Sequence, residues 1–355
     1  MSKEQSTILK GIAILMMLFY HLFFRAGLDE LCSPLVMLGD DPLVSSLSRA
    51  CYPVPFFLIL SGYGLTWLYC HGRLNVRGEC RRLFRLYLHL WLVFLVFMPL
   101  AYFLRPGMYH YDVLHILGNM TAIRCNYNGE VWFLFPYALI CLTSVPVIRY
   151  VYQLKGTRKV VLTVAAYALL FLTVKLISLH ISQNLLLNIL ETQYNYYVII
   201  LFYFSLGILL YRLLEQGFRF PFLGLEQGSA CTGLARHLPL LLLMGLFVVK
   251  SMFNITLLDG FYAFAFICCF LHLRLPRLLH NALYELGRRS TVMWMTHTFF
   301  CFYIFPDFIY GFKYPLIIFA VLVIVSYLTS VILERVALSG RKVRAKRVKG
   351  RTFAG

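Results

Sequence analysis

Residues 10–23, KGIAILMMLFYHLF, set a lysine at one end of an apolar run and a histidine near the other, with almost nothing polar between them. Read as a helix, the stretch rises about 16 Å from Lys10 to His21 and returns to within about 20° of the same face. An ionisable group in mid-bilayer costs about 2.5–3.5 kcal/mol for Arg, Lys or Asp on insertion scales, so such groups in a span call for a reason. Histidine suits general-base work, because burial leaves its imidazole neutral and able to accept a proton. Lys10 taken alone reads as a topology anchor; on one stripe with His21 it reads as the surface end of a groove.

The rest of the chain makes the run a membrane helix. Of 355 residues, 60% are hydrophobic, 17% aromatic and only 14% charged, and the mean hydropathy is +0.74; this is the composition of an integral membrane protein. Ten stretches are candidates for spans, near residues 7–26, 50–70, 83–104, 131–148, 160–180, 196–214, 237–253, 257–273, 290–306 and 314–334. No A-x-A-like cleavage site follows the first, which therefore reads as a retained helix. The expected fold is all-α, a polytopic transmembrane helical bundle. Residues 1–340 would form one transmembrane domain and 341–355 a basic cytoplasmic tail.

Lys and Arg outnumber Asp and Glu by 33 to 15, which in a soluble chain would suggest nucleic acid. Here the basic residues cluster after every second span: Arg73, Arg77, Arg81, Arg82 and Arg85, then Arg149, Lys155, Arg158 and Lys159, then Arg274, Arg277, Arg288 and Arg289, then the tail. The loop carrying Asp29, Glu30, Asp40 and Asp41 falls on the other side. Both termini are thus expected in the cytoplasm, with the excess charge serving orientation and anionic lipid, at about 1 kcal/mol per basic residue near the surface. No nucleic-acid partner is expected. The ten cysteines lack metal-like spacing; Cys32 and Cys51 are the one plausible outer pair, and no metal is expected.

Carboxylates look scarce in the spans, with Glu130 and Asp259 at span ends, which argues against a proton- or cation-coupled transporter. His297 lies about two turns into the ninth span and could approach the depth of His21, or could make a structural hydrogen bond. Its segment, LGRRSTVMWMTHTFF, reads as a small polar loop at Gly287–Ser290 leading into an apolar helix. Arg82 and Arg85 share a helix face at the start of the third span; they satisfy the positive-inside rule and would also suit a phosphorylated ligand.

Taken together, these segments resemble the acyltransferase family 3 of multi-span membrane proteins. The first-helix pattern of a basic residue, ten positions and a histidine fits Lys10 and His21. PVPFFLILSGYGL resembles the family's F-F-x-x-S-G-[FY] segment through Phe56, Phe57, Ser61, Gly62 and Tyr63; RRLFR is similar to its R-R-x-x-R opening, VWFLF to its W-x-L element, and the Gly287–His297 stretch to its late G-x-x-S-x-x-x-W-x-x-H helix. A glutamate that many members carry shortly after W-x-L is missing from WFLFPY.

The resemblance implies transfer of an acyl group, mostly acetyl, from cytosolic acyl-coenzyme A to a hydroxyl of a surface polysaccharide or lipid-linked sugar, in a bacterial inner membrane. Lys10, Arg82 and Arg85 would hold the donor's phosphates. His21 would act as base or nucleophile, with His297 assisting and Trp132, Ser61 and Tyr63 against substrate. The rival reading is a flippase or transporter of a similar sugar.

Overall fold

The computed structural model describes residues 1–178, 184–217, 233–253, 255 and 258–351, with side chains given up to 336 and not at 178 or 233–236. Ser2 starts the first helix through a capping box with Gln5, which satisfies two orphan donors at once. The helices follow as α1 (Lys3–Phe23), α2 (Leu28–Leu31), α3 (Leu43–Ser48), α4 (Val54–Cys70), α5 (Val76–Leu104), α6 (Val113–Met120), α7 (Leu134–Leu142) and α8 (Ser144–Tyr152). Then come α9 (Thr157–Ser178), α10 (Leu185–Glu215), α11 (Gly233–Met252), α12 (Asp259–Phe270), α13 (Arg277–Thr298), α14 (Pro306–Tyr310) and α15 (Pro315–Arg351). One short hairpin, Met37–Leu38 paired with Asp41–Pro42, is the only sheet among the described residues.

Among the described residues, six helical stretches are long and apolar enough to cross a membrane: Lys3–Phe23, Leu43–Cys70, Val76–Leu104, Thr157–Ile177, Leu185–Glu215 and Pro315–Val336. A seventh arises if Gly129–Leu142 and Ser144–Tyr152, bent by 70° at their junction, count as one broken span. The stretches at 237–253 and 257–273 fall on α11 and α12, which are shorter apolar helices. The stretch at 290–306 falls on the second half of α13 and the π-helical turn Phe299–Tyr303 after it. The protein is an all-α integral membrane protein whose outer surface carries exposed leucines and valines, among them Leu95, Val164, Leu169 and Leu316, while its buried interior holds His21, His297, Asn128 and Thr298. The basic tail over 341–355 and the connection over 218–232 lie outside the described side chains.

Glycines bring the helices that matter most into contact. A Cβ at Gly11 would sit 2.0 Å from the Leu283 carbonyl oxygen, and one at Gly287 would sit 1.8 Å from that of Thr7, so only hydrogen fits at either position. Cβ vectors tilt toward a helix's N-terminus; each glycine meeting the residue one turn before its counterpart means that α1 and α13 run parallel. Gly62 and Gly207 repeat the arrangement against Phe204 and Ile59, making α4 and α10 a second parallel pair. Gly287 thus lies inside a continuous helix, not in the polar loop expected at 287–290. Gly287→Ala is expected to destabilise the fold by about 1–3 kcal/mol, as overpacking does. Gly245→Ala, where a Cβ would meet nothing within 4 Å, should leave thermal stability of the detergent-solubilised protein unchanged.

One further expectation is corrected. Cys32 and Cys51 are both buried free thiols that pack in separate apolar clusters. Asp259 stands at a helix end, as the first residue of α12, and is buried there in an ion pair with Lys250 of α11 at 2.9 Å, both side chains 7% exposed. Pairing offsets the penalty that either charge would pay alone in this setting, and it ties α11 to α12.

Candidate active site

His21 and His297 each follow the glycine of their helix by ten positions. Parallel packing at Gly11 and Gly287 therefore delivers the two rings to one level, about 15 Å beyond the crossing. His21 Nδ1 lies 2.8 Å from His297 Nε2, and the rings tilt by 32°. His297, fully buried, directs Nδ1 at the backbone carbonyls of Trp294 (2.7 Å) and Met293 (3.2 Å). The other nitrogen of His21, Nε2, meets Glu130 Oε2 at 2.8 Å.

Glu130 is the group that the sequence reading placed at a span end and set aside. Its turn is held in the interior by buried Asn128, whose amide nitrogen donates to the Met295 carbonyl at 2.9 Å. Asn128 Oδ1 in turn accepts from the Thr298 hydroxyl and from the Glu130 backbone N–H, both at 3.1 Å. Gly129 N–H donates to the Tyr303 hydroxyl at 2.9 Å, and the Trp294 indole N–H to the Glu130 carbonyl at 3.0 Å. Every anchor comes from α13 or the π-helical turn beyond it, an irregularity common at functional sites. An acidic group thus precedes the W-x-L element, although none follows it.

The hydrogen-bond pattern constrains protons. Carbonyls only accept, so His297 Nδ1 carries a hydrogen. The His297–His21 and His21–Glu130 contacts need one proton each. Three protons therefore sit among two imidazoles and one carboxyl, one more than two neutral imidazoles and a carboxylate hold. With that third proton in place both His21 nitrogens are engaged and neither is free to accept another. For His21 Nε2 to take a proton from a hydroxyl, the extra proton must leave and the Glu130 contact must give way. Glu130 is the side able to do so, with its side chain 24% exposed to the cavity while His297 is sealed in.

Two cavities run along the same face of α1. The first, about 440 Å³, holds Lys10, Arg82 and Arg85, together with Ser61, Tyr137 and His89. The second, about 300 Å³, holds His21, Glu130 and Trp132, with Tyr20, Tyr52 and Phe302 around them. The structure thus gathers Lys10, Arg82, Arg85 and Ser61 in one cavity and His21 and Trp132 in the other, with His297 fully buried behind His21. Tyr63 lines neither; its hydroxyl accepts from the N-terminal ammonium of Met1 at 2.9 Å. Ser61 and Tyr63 stand about 200° apart around a helix, and Ser61 shares a hydrogen bond with Tyr137 at 2.9 Å.

The basic groups differ among themselves. Arg82 is committed to Glu79 at 2.6 Å and to the Cys141 sulfur at 2.9 Å. Lys10 and Arg85 make no ion pair among the described residues and are the uncompensated cations of that cavity. His89 and His272 each bond a carbonyl one turn back, of Arg85 and Cys268, as structural membrane histidines do. No cluster of three potential metal ligands occurs among the described residues.

A carboxyl-supported imidazole in one cavity, next to a basic cavity, is the equipment of a group-transfer enzyme. A family description, the acyltransferase domain of the acyltransferase 3 type, matches residues 5–335. The chain belongs to this family, and the protein is a membrane acyltransferase. No curated protein and no solved structure matches it.

Proposed function

We propose that the protein is an O-acyltransferase, most simply an O-acetyltransferase, moving the acyl group of cytosolic acyl-coenzyme A to a hydroxyl of a surface polysaccharide or lipid-linked sugar. The observation that carries this reading is the pair of adjacent cavities, one with unpaired cations and one with the His21–Glu130 pair. Coenzyme A is polyanionic at one end and a thioester at the end of a long flexible arm, which matches a basic vestibule leading to a deep base. Lys10 and Arg85 would hold its phosphates, with Arg82 shaping the wall. The aromatic lining of the His21 cavity suits the apolar faces of a sugar ring.

In the proposed step the network first gives up its extra proton to solvent, leaving His21 Nε2 bare and Glu130 a carboxylate, and the acceptor hydroxyl enters between them. Its oxygen attacks the thioester carbonyl carbon, its proton passes to His21 Nε2, and the carbon–sulfur bond breaks. The proton then reaches the departing sulfur, giving the thiol. Glu130 supports the positive charge that His21 carries meanwhile, and His297 fixes the ring through Nδ1. The ten-span arrangement with both termini in the cytoplasm, in a bacterial inner membrane, goes with this reading because it puts Lys10 on the side where the donor is made. The parallel courses of α1 and α13 are compatible with it, since the first and ninth of ten spans run in one direction.

The test is mass spectrometry of the envelope glycans of cells with and without the protein, which should differ by one acetyl per modified unit; identical glycans would refute the acceptor class. A second check concerns the donor. Arg85→Ala should raise KM for acetyl-coenzyme A about tenfold or more, as loss of a charged phosphate contact would, with a smaller change in kcat. Arg82→Ala is expected to lower stability as well, because it leaves Glu79 buried and unpaired. An unchanged KM in Arg85→Ala would move the donor site elsewhere.

A further inference from the structure

The two cavities share a wall. Phe133 and Trp294 are the two residues that line both of them, and their rings stack with centroids 4.4 Å apart and planes 20° apart. Both are buried, and Trp132 extends the wall by packing edge-on against Phe133. The side chains that separate Lys10 from His21 along the inside of the bundle are therefore flat, apolar and in contact.

We infer that this pair is a movable partition, which the acyl-bearing arm displaces on its way from the basic cavity to His21. The inference rests on the acyltransferase reading for its purpose, and on the stack itself for its existence. The two rings are not equivalent. The Trp294 ring is anchored by its indole N–H on the Glu130 carbonyl; moving it would release the turn that carries Glu130. Phe133, the N-cap residue of α7, is held by apolar packing in the core with no hydrogen bond on its ring, so it is the leaf that yields.

A partition here has a chemical use. Water in the His21 cavity would be activated by the same base as the acceptor hydroxyl, and a thioester resting there would be hydrolysed to a carboxylic acid and free coenzyme A. Keeping the donor's acyl end behind closed rings until the cavity is filled limits that loss, as closures do in other transferases.

The partition can be tested by the access it controls. Met17, which lines the His21 cavity, is replaced by cysteine. A small anionic methanethiosulfonate is then added to sealed membrane vesicles from the side onto which the Lys10 cavity opens. Labelling of residue 17 is read by mass spectrometry of its peptide, apart from the native thiols. With Phe133 intact, labelling from this side should be slow; with Phe133→Ala it should rise about tenfold, and Phe133→Leu should fall between, as expected when a gating ring is trimmed. Labelling from the opposite side, similar in all three, shows that the variants are folded.

Acetyl-coenzyme A without any acceptor supplies the second reading, through release of free coenzyme A, which should be faster in Phe133→Ala than with Phe133 in place. Equal labelling from the Lys10 side in the three proteins, fast or absent, overturns the partition. Graded labelling with no binding or cleavage of acetyl-coenzyme A in any of them upholds the partition and overturns the donor assignment instead.

Discussion

Alanine at position 21 is expected to reduce acyl transfer by about 10²–10⁴-fold, the usual contribution of a positioned general base. Both nitrogens of the ring are engaged, one by His297 at 2.8 Å and one by Glu130 at 2.8 Å, and nothing else among the lining residues stands between that carboxyl and the buried imidazole. Removing the ring also leaves Glu130 without its partner, so part of the loss could be one of folding. His21→Gln, which fills more of the space and keeps a donor and an acceptor, separates the two effects. Membrane protein level, thermal stability and initial rate should be measured for both variants. Near-normal turnover in well-folded His21→Ala would remove His21 from the chemistry.

The second large effect is expected at Glu130. Glutamine there keeps the shape and can still hydrogen-bond to His21 Nε2, but it removes the charge that stabilises a protonated imidazole. Turnover should drop about 10²-fold, while acetyl-coenzyme A binding should stay near normal on the proposed reading, in which Lys10 and Arg85 of the other cavity hold the donor. A kcat defect with intact donor binding is the result to look for. If Glu130→Gln were as active as the parent, the carboxyl would be structural and the proton would be handled by His21 and His297 alone.

The stripe from Lys10 to His21 was legible because a straight apolar helix obeys its own geometry, and the same arithmetic put His297 near the right depth. Glu130 was not legible in this way. Its position in the chain suggested a span end, which it is, at the start of the broken span over 129–152; what holds that end in the interior is a set of tertiary anchors on α13 and the π-helical turn. One signal was available: Gly11 with His21 and Gly287 with His297 share a ten-residue spacing, which matches two helices packed in parallel at their glycines. Tyr63 lines neither cavity. A motif suggested it alongside Ser61, yet two positions along a helix place side chains on nearly opposite faces.

The glycine crossing also sets a tolerance. With the imidazoles about 15 Å from the point of closest approach, tilting α1 against α13 by about 10° would displace one ring from the other by about 2.6 Å. That is nearly the length of the hydrogen bond joining them. Catalytic alignment in this enzyme is accordingly an angular quantity, and substitutions far from His21 that wedge the two helices apart, or a bilayer whose thickness forces a different tilt, would act on turnover as directly as changes within the cavity.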